Sequence, residues 1–328
     1  MTTTQRTKMR ALVQYQYGST DVLRMADVAV PEISDEQVLV RVHAASINPL
    51  DWHIMRGKPA FIRLMGGIRR PKQPTRGVDV AGVVEAVGSN VTGFDPGDRV
   101  FGTAPGALAE YAAASPDKII RMPDGADPDA AAALPVAGIT ALQGLRDLGQ
   151  IEPGQKVLIV GASGGVGTFA VQLAKHFGAE VTGVCSRRNA DMVRSIGADH
   201  IVDYSTTDIL ETAERYDLAF QLAGTTSPVK LRRILTPTGT LVLSSGMGRL
   251  SGIDRIVKAM AARPFVKQRL VTWVANENAA DLQILAELLE SGTLKPVIDR
   301  TYSLDDAAEA LRYVEEGHTR GKVVVTVA

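Results

Sequence analysis

The arrangement of apolar and polar positions changes partway along the chain. Before about residue 129 the apolar positions form short valine-rich runs, interrupted by glycine, proline and aspartate, as in β-strands joined by tight turns. These runs are MRALVQY, QVLVRVHAA, VAGVVEAVG, DRVFG and ALAEYAAA. This part of the chain therefore predicts a small β-barrel domain.

From about Asp129 the pattern alternates between helical and strand periodicity. AAALPVAGITALQGL is alanine-rich and helical, and the strands HIVDY, LAFQLA, TLVLSS and RLVTWV are each followed by helical or loop sequence. The helices ADLQILAELLESG and SLDDAAEALRYVEEG then precede a final strand. This alternation predicts an α/β domain with a doubly wound parallel sheet.

The stretch VLIVGASGGVGTFAV, residues 157–171, predicts a strand, a glycine-rich turn and a helix in succession. The strand AEVTGVC follows and completes a βαβ unit. The turn reads Ala162-x-Gly164-x-x-Gly167, so alanine stands where the usual GxGxxG motif has its first glycine. Because the first N–H groups of a helix are unpaired and its dipole is positive there, we expect a pyrophosphate site. The residues predicted to form it are Ser163, Gly164, Gly165, Val166 and Gly167.

The charge, the hydropathy and the cysteine content of the chain bear on its binding partners, its location and its metal content. The 36 basic and 36 acidic residues of the 328-residue chain cancel, which argues against binding to nucleic acid or to an acidic membrane surface. The first residues lack the apolar core of a signal peptide, and no run of eighteen apolar residues occurs, so a cytoplasmic location is expected. The one cysteine, Cys185, excludes an intrachain disulfide and a multi-cysteine zinc site.

The choice of cofactor is predicted at the end of the second strand of the βαβ unit. Domains that select NAD place an acid there, about 20 residues after the glycine turn, to bind the adenosine ribose. Here Cys185 is followed by Ser186, Arg187 and Arg188. Two guanidinium groups in place of an acid favour the 2′-phosphate of NADP(H). The alternative is that the arginines form a solvated turn.

Five segments together resemble the medium-chain dehydrogenase/reductase superfamily, and within it the zinc-independent quinone oxidoreductase branch. They are VLVRVHAASINPLDW, GVDVAGVVEAVGSNVTGFDPGDRVFG, AAALPVAGITALQGL, VGASGGVG and the closing GKVVV. The resemblance implies a GroES-like β-barrel catalytic domain over residues 1–130, completed by 296–328, and a Rossmann domain over residues 131–295. It also implies an active site in a cleft between the domains, and a homodimer formed through the strand RLVTWV.

The resemblance also indicates how the site differs from that of zinc-using relatives. Asn48 stands where those relatives have a cysteine ligand, and Val78-Asp79 stands where they have a His-Glu pair, so no metal is expected. Asn48 is the candidate to donate to the substrate carbonyl or to orient the nicotinamide ribose, or else it holds its turn. Asp51 is a candidate to steer a proton, or else it caps the helix DWHIMRG.

Further cofactor contacts are implied by the resemblance alone. Tyr204 matches a tyrosine that approaches the 2′-phosphate, Lys322 is a weaker candidate for the same role, and Thr140 matches a threonine near the nicotinamide. The backbone of Leu222 to Gly224 and of Ser244 to Gly246 is expected beside the cofactor. Gln221 stands where relatives often have aspartate.

Together these features predict an NADPH-dependent oxidoreductase that transfers hydride to a quinone or an α,β-unsaturated carbonyl compound without a metal. Residues 55–77 and 246–270 mix apolar and basic side chains and are expected to border the cleft, which suggests an apolar acceptor. Two alternatives remain: a trans-acting enoyl-thioester reductase, and an NADPH-binding protein with little turnover.

Overall fold

The computed structural model describes residues 7–244 and 267–327, and these divide into two units. The first unit takes its described residues from Met1–Val136, Glu277–Ser291 and Ile298–Ala328. The second takes them from Ala137–Asn276 and Gly292–Val297. The first unit therefore contains both ends of the described chain, and the second is an insertion into it.

The strands of the described residues are β1 (Lys8–Gln14), β2 (Leu23–Ala29), β3 (Val38–Ile47), β4 (Asp79–Val87), β5 (Arg99–Thr103), β6 (Tyr111–Ala114), β7 (Ile119–Arg121), β8 (Lys156–Val160), β9 (Glu180–Cys185), β10 (His200–Asp203), β11 (Tyr216–Gln221), β12 (Leu235–Ser244), β13 (Arg269–Trp273), β14 (Ile298–Ser303) and β15 (Lys322–Thr326). The α-helices are α1 (Pro49–Arg56), α2 (Ala60–Gly66), α3 (Pro128–Ala132), α4 (Pro135–Gln143), α5 (Gly165–His176), α6 (Ala190–Ser195), α7 (Pro228–Leu231), α8 (Ala279–Glu290) and α9 (Ala307–Glu315). None of these helices is long and apolar enough to cross a membrane.

The sheet of the second unit is parallel throughout, in the order β10-β9-β8-β11-β12-β13. Numbered from β8, this is the order 3-2-1-4-5-6 of dinucleotide-binding folds, whose ligands bind where the order reverses, between β8 and β11. Val157, Leu158 and Ile159 have no exposed surface, as expected for a central strand covered on both faces. The predicted doubly wound sheet is confirmed.

The first unit contains a seven-stranded sheet and a separate ribbon of β1 and β2. In the seven-stranded sheet the order is β14-β15-β3-β4-β5-β7, and β6 also pairs with β3. The last strand, β15, runs antiparallel to β3, with Val323 opposite Ile47 and Val325 opposite Ala45. This pairing places the C-terminal strand beside the start of α1.

Two details differ from the simplest interpretation of the sequence. Of the two roles open to Asp51 in the sequence, that of N-cap is wrong, because α1 begins at Pro49 with Asn48 as the N-cap and Asp51 is the third helical residue. The proline explains the shift, because its fixed φ suits the first position of a helix. The helical segment after residue 128 is likewise divided into α3 and α4, with Pro135 starting the second, and continues as a π-helix over Gly144–Gly149.

Candidate active site

The glycine turn after β8 lets the chain and its neighbours pack closely. Gly161 has φ +92°, and a Cβ there would lie 2.7 Å from the Cβ of Ala223, which follows the adjacent strand β11. A Cβ on Gly167 would overlap the carbonyl of Gly161. Both glycines are therefore required by close packing at the point where the strand order reverses.

The start of α5 offers unpaired donors over open space. Gly164 is the N-cap and has no side chain that could accept from the first N–H groups of the helix. The N–H of Thr168 is bonded to Gly164 O over 2.9 Å. The preceding N–H groups, of Gly165, Val166 and Gly167, lie before the first i→i−4 bond of the helix. A Cβ on Gly164 would meet only Gly161 O, at 3.5 Å. This turn fits the pyrophosphate of a dinucleotide.

The turn after β9 presents two cations. Cys185 ends the strand almost fully buried, and burial raises the pKa of its thiol, as expected for a packing residue. Ser186 is the N-cap of a 3₁₀ turn over Arg187–Asn189, and the side chains of Arg187 and Arg188 are exposed. No acidic residue stands in this turn.

Asn189, which sequence reasoning did not select, joins the two turns. Its Nδ2 donates to Ser163 Oγ over 3.0 Å, so the turn after β9 is tied to the glycine turn after β8. Asn189 is buried, and its Oδ1 has no hydrogen-bond partner among the described residues. A buried acceptor without a partner is costly unless a ligand or water satisfies it.

Tyr204 lies on the same edge of the sheet. β10 is the parallel neighbour of β9, and the N–H of Tyr204 donates to Cys185 O over 3.3 Å. Its side chain is 66% exposed, next along the sheet from the arginine turn. Hydrogen bonds from Ser205 hold the pKa of Asp203 below its usual range, so Asp203 is ionised and fixes the turn that carries Tyr204.

The remaining predicted contacts of the second unit are on or beside the central strands. Leu222 donates its N–H to Val160 O over 3.0 Å, and Gly224 has φ +81°. Gln221 is buried, with Nε2 bonded to Thr226 O and with no partner for Oε1 among the described residues. Ser244 ends β12, Thr140 is buried on α4, and Gly246 lies outside the described residues.

In the first unit, Asn48 belongs to a buried charged cluster. Asn48 Nδ2 donates to Asp79 Oδ2 over 2.8 Å, and Lys322 Nζ donates to Asn48 Oδ1 over 2.5 Å. Lys322 is 2% exposed and lies 3.3 Å from Asp79 Oδ2 and from Ile47 O. Asp79 has no exposed surface and also accepts from Ser46 Oγ over 2.7 Å. The two charges are thus paired and fully hydrogen-bonded.

Asp51 adds a second carboxyl group to this region. Its Oδ2 accepts from the backbone N–H of Asn48 over 2.7 Å, which closes the start of α1. Burial raises the pKa of Asp51 to about 7, against the lowering effect of that hydrogen bond; the charge of Asp79 raises it further, and those of Lys322 and Arg76 lower it. Arg76 is itself buried. Asp51 can therefore hold a proton near neutral pH.

No group of three His, Cys, Asp or Glu side chains is placed to hold a metal ion within residues 7–244 and 267–327. Around Asn48, the types of side chain explain why the described residues form no such group there. An amide and an ammonium group occupy the region around Asp79, and neither is an anionic or imidazole ligand of the kind zinc binds.

Comparisons with known proteins agree with this geometry. The alcohol dehydrogenase GroES-like domain matches residues 34–124, and the zinc-binding dehydrogenase family matches residues 196–325. A chloroplastic quinone-oxidoreductase QR1 from Triphysaria versicolor is 34% identical, over 97% of this chain and 98% of that protein. A chloroplastic NADPH-dependent alkenal/one oxidoreductase from Arabidopsis thaliana is 33% identical, over 97% and 79%. The structure of a quinone oxidoreductase from Coxiella burnetii has a TM-score of 0.88 and 32% identity, over 98% and 100%.

The parallel sheet with its dinucleotide turn and the GroES-like unit define the class of protein as a nicotinamide-dependent oxidoreductase. The chain belongs to the zinc-independent quinone oxidoreductase branch of the medium-chain dehydrogenase/reductase superfamily. The resemblance inferred from the sequence motifs is confirmed.

The predicted site residues fall into two groups, one in each unit. The second unit gathers the glycine turn, the arginine turn, Tyr204 and Leu222–Gly224 at the carboxyl ends of its strands. The first unit gathers Asn48, Asp51 and Lys322. Asp79 also belongs to the group in the first unit. In the sequence it is notable only as one of the two residues that stand in place of the His-Glu pair of zinc-using relatives.

Proposed function

We propose that this protein reduces quinones or α,β-unsaturated carbonyl compounds with NADPH and without a metal ion. The observation that carries the choice of NADPH is the turn after β9, where exposed Arg187 and Arg188 follow a buried cysteine instead of an acid. Guanidinium groups bind a phosphate through charge-assisted, often paired hydrogen bonds. The Arabidopsis relative, named as NADPH-dependent, supports the same assignment.

The chain offers a surface for each part of the cofactor. The N–H groups at the start of α5 would bind the pyrophosphate, and Ser186, Arg187, Arg188 and Tyr204 would surround the 2′-phosphate. The unpartnered Oδ1 of Asn189 and Oε1 of Gln221 would accept from ribose hydroxyl groups. Thr140, Leu222, Gly224, Ser244 and Gly246 are proposed as the remaining contacts.

At the reacting end the bound nicotinamide would supply a hydride from its C4 atom. The role of the protein is to hold the acceptor and to stabilise the negative charge that forms on the carbonyl oxygen of the acceptor. Asn48 Nδ2 is suited to this, because one of its N–H groups is bonded to Asp79 and the other points to no acceptor in the described part of the chain. Asp51 holds a proton near neutral pH and is the group proposed to donate it to the anion that hydride addition leaves on the acceptor, which leaves Asp51 as a carboxylate.

Lys322 is assigned to this reacting end and not to the 2′-phosphate. Its ammonium group has three N–H donors, and Ile47 O, Asn48 Oδ1 and Asp79 Oδ2 provide three acceptors. No donor is left for a phosphate while this arrangement holds.

Enoyl thioesters are a second candidate class of acceptor. Residues 52–78 contain seven Lys or Arg residues and no acid, although the whole chain is neutral, and four of the seven are exposed: Lys58, Arg69, Arg70 and Lys72. Within this segment Phe61, Leu64 and Ile68 are exposed, with the last two about 70% exposed. α2 contacts α1, which begins beside Asn48. An acceptor with an apolar chain and an anionic group would match this surface.

The proposal is tested by mixing the protein with NADPH or NADH and a panel of quinones, enones, alkenals and enoyl thioesters, following the nicotinamide absorbance. We expect turnover with NADPH and at least one unsaturated carbonyl compound or quinone. Asn48→Ala should lose most of kcat while its dissociation constant for NADPH stays within twofold of wild type. Tight NADPH binding without turnover on any acceptor would instead support a binding protein, and preference for NADH would refute the cofactor assignment.

A further inference from the structure

Partners of opposite charge hold the two ends of the Asn48 side-chain amide. The ammonium of Lys322 donates to Oδ1, and Nδ2 donates to the carboxylate of Asp79. The reverse orientation would set the NH₂ group against an ammonium and the carbonyl against a carboxylate, so these partners allow only one orientation. Asn48 is 3% exposed, so water does not compete strongly for either contact.

This arrangement fixes the direction of the second N–H of Nδ2 and also its strength as a donor. An ammonium bonded to an amide oxygen draws electron density from the nitrogen, which makes the remaining N–H more positive. The effect is larger in a buried site, where the effective dielectric constant is low. Lys322 cannot act on an acceptor directly in this arrangement, because its three donors are used.

We propose that Lys322 is a positioning residue of the reductase, one that orients and polarises the Asn48 amide so that its free N–H stabilises the oxyanion formed on the acceptor. This inference rests on the function proposed above for Asn48. Hydrogen bonds to charged acceptors are stronger than those to neutral ones, so a polarised N–H stabilises the oxyanion more than the neutral carbonyl of the ground state. The carboxylate of Asp79 on the other N–H opposes part of this polarisation.

The rival explanation is that Lys322 only neutralises buried Asp79. Lys322→Met alone cannot separate the two, since it leaves an unpaired buried carboxylate that destabilises the fold. The informative pair is Asp79→Asn and Asp79→Asn/Lys322→Met, which differ only at residue 322. Asp79→Asn keeps one side-chain oxygen as an acceptor for Ser46 Oγ but leaves the buried ammonium of Lys322 without its carboxylate. The free energy of unfolding of both variants is therefore measured beside kcat, and kcat is compared per folded protein.

If Lys322 polarises Asn48, kcat of the double variant should be about 10- to 100-fold below that of Asp79→Asn, somewhat less than the loss of a whole oxyanion donor. The dissociation constant for NADPH should differ by less than twofold between the two. Lys322→Gln in the native background, which keeps a neutral donor to Oδ1, should give an intermediate kcat. Equal kcat in the matched pair, or wild-type kcat in Lys322→Gln, would overturn the proposal.

A spectroscopic readout keeps the inference separate from the proposed activity. The chain contains five asparagines, so selective ¹⁵N-asparagine labelling gives five side-chain amide pairs in wild type and six in the two Asp79→Asn variants, and Asn48→Ser made in each background identifies the pair from Asn48. In unliganded protein this resonance should differ between Asp79→Asn and the double variant and should shift in Lys322→Gln. An Asn48 resonance that is insensitive to residue 322 refutes the contact itself, whereas a wild-type protein that reduces no acceptor refutes only the proposed function.

Discussion

Replacing Arg187 and Arg188 with alanine tests the cofactor assignment most directly. Only NADPH has a 2′-phosphate, so the double variant should bind NADPH more weakly and NADH almost unchanged. Hydrogen bonds to charged groups contribute roughly 1.5–3 kcal/mol each when shielded from water. Both side chains are exposed, so a contribution of about 0.5–1 kcal/mol each is more appropriate. The pair then corresponds to a loss of about 5- to 30-fold in affinity for NADPH.

The measurement is the dissociation constant of each cofactor by fluorescence, at low and high salt, for wild type, the double variant and a control. Arg215→Ala is a matched control, because Arg215 is also exposed but directly precedes β11, at the opposite ends of the strands. Raising the salt concentration should weaken NADPH binding to wild type more than to the double variant. Equal weakening of both cofactors, or a wild type that already prefers NADH, would show that the arginines are a solvated turn.

Cys185→Asp added to the double variant should shift the preference further toward NADH, because a carboxylate at this position accepts from the ribose and repels the 2′-phosphate.

Three further outcomes are expected. Burial raises the pKa of Asp51 to about 7, so between about pH 4 and 7 the folded state binds one more proton than the unfolded state. The contribution of this proton to stability is present below pH 4 and is lost as pH rises to 7, by about 4 kcal/mol. In urea unfolding Asp51→Asn should therefore gain stability relative to wild type with rising pH, and parallel curves for the two proteins would contradict the raised pKa. Light scattering should give a dimer, since β13 pairs only with β12 among the described strands and leaves an edge, and a monomer at micromolar concentration would refute it. Activity should survive a chelator, whereas stoichiometric zinc lost together with activity would show a metal enzyme.

Much of the fold could be predicted because its signals are local. The stretch of residues 157–171 predicts a strand, a glycine-rich turn and a helix, and the structure has β8 over Lys156–Val160 and α5 from Gly165. The order of strands in the sheet could not be obtained from these signals, because pairing joins residues far apart in the chain. It followed only from recognising the βαβ unit and its superfamily.

The two groups of site residues also differ in whether a local signal in the sequence predicts them. The residues proposed to bind the cofactor follow strands of a parallel sheet, so a residue's place after its strand is enough to predict the edge on which it lies. The cluster around Asn48 depends on the register between β15 and β3, in which Val323 is opposite Ile47. Lys322 and Asn48, which directly flank that pair, are 274 residues apart in sequence, and the contact between them has no local signal.

The buried charges around Asn48 are difficult to explain by stability alone. Asp51, Asp79, Arg76 and Lys322 are each at most 5% exposed, and removing ions from water costs several kcal/mol per group. Well-packed apolar residues in place of a buried ion pair are often equally stable or more so. The proposed function gives these charges a role: the oriented amide would stabilise an oxyanion, and Asp51, whose pKa is raised to about 7, would supply a proton. For this reason substitutions in the cluster should lower kcat by more than the loss of folded protein explains, once their effect on the free energy of unfolding has been measured separately.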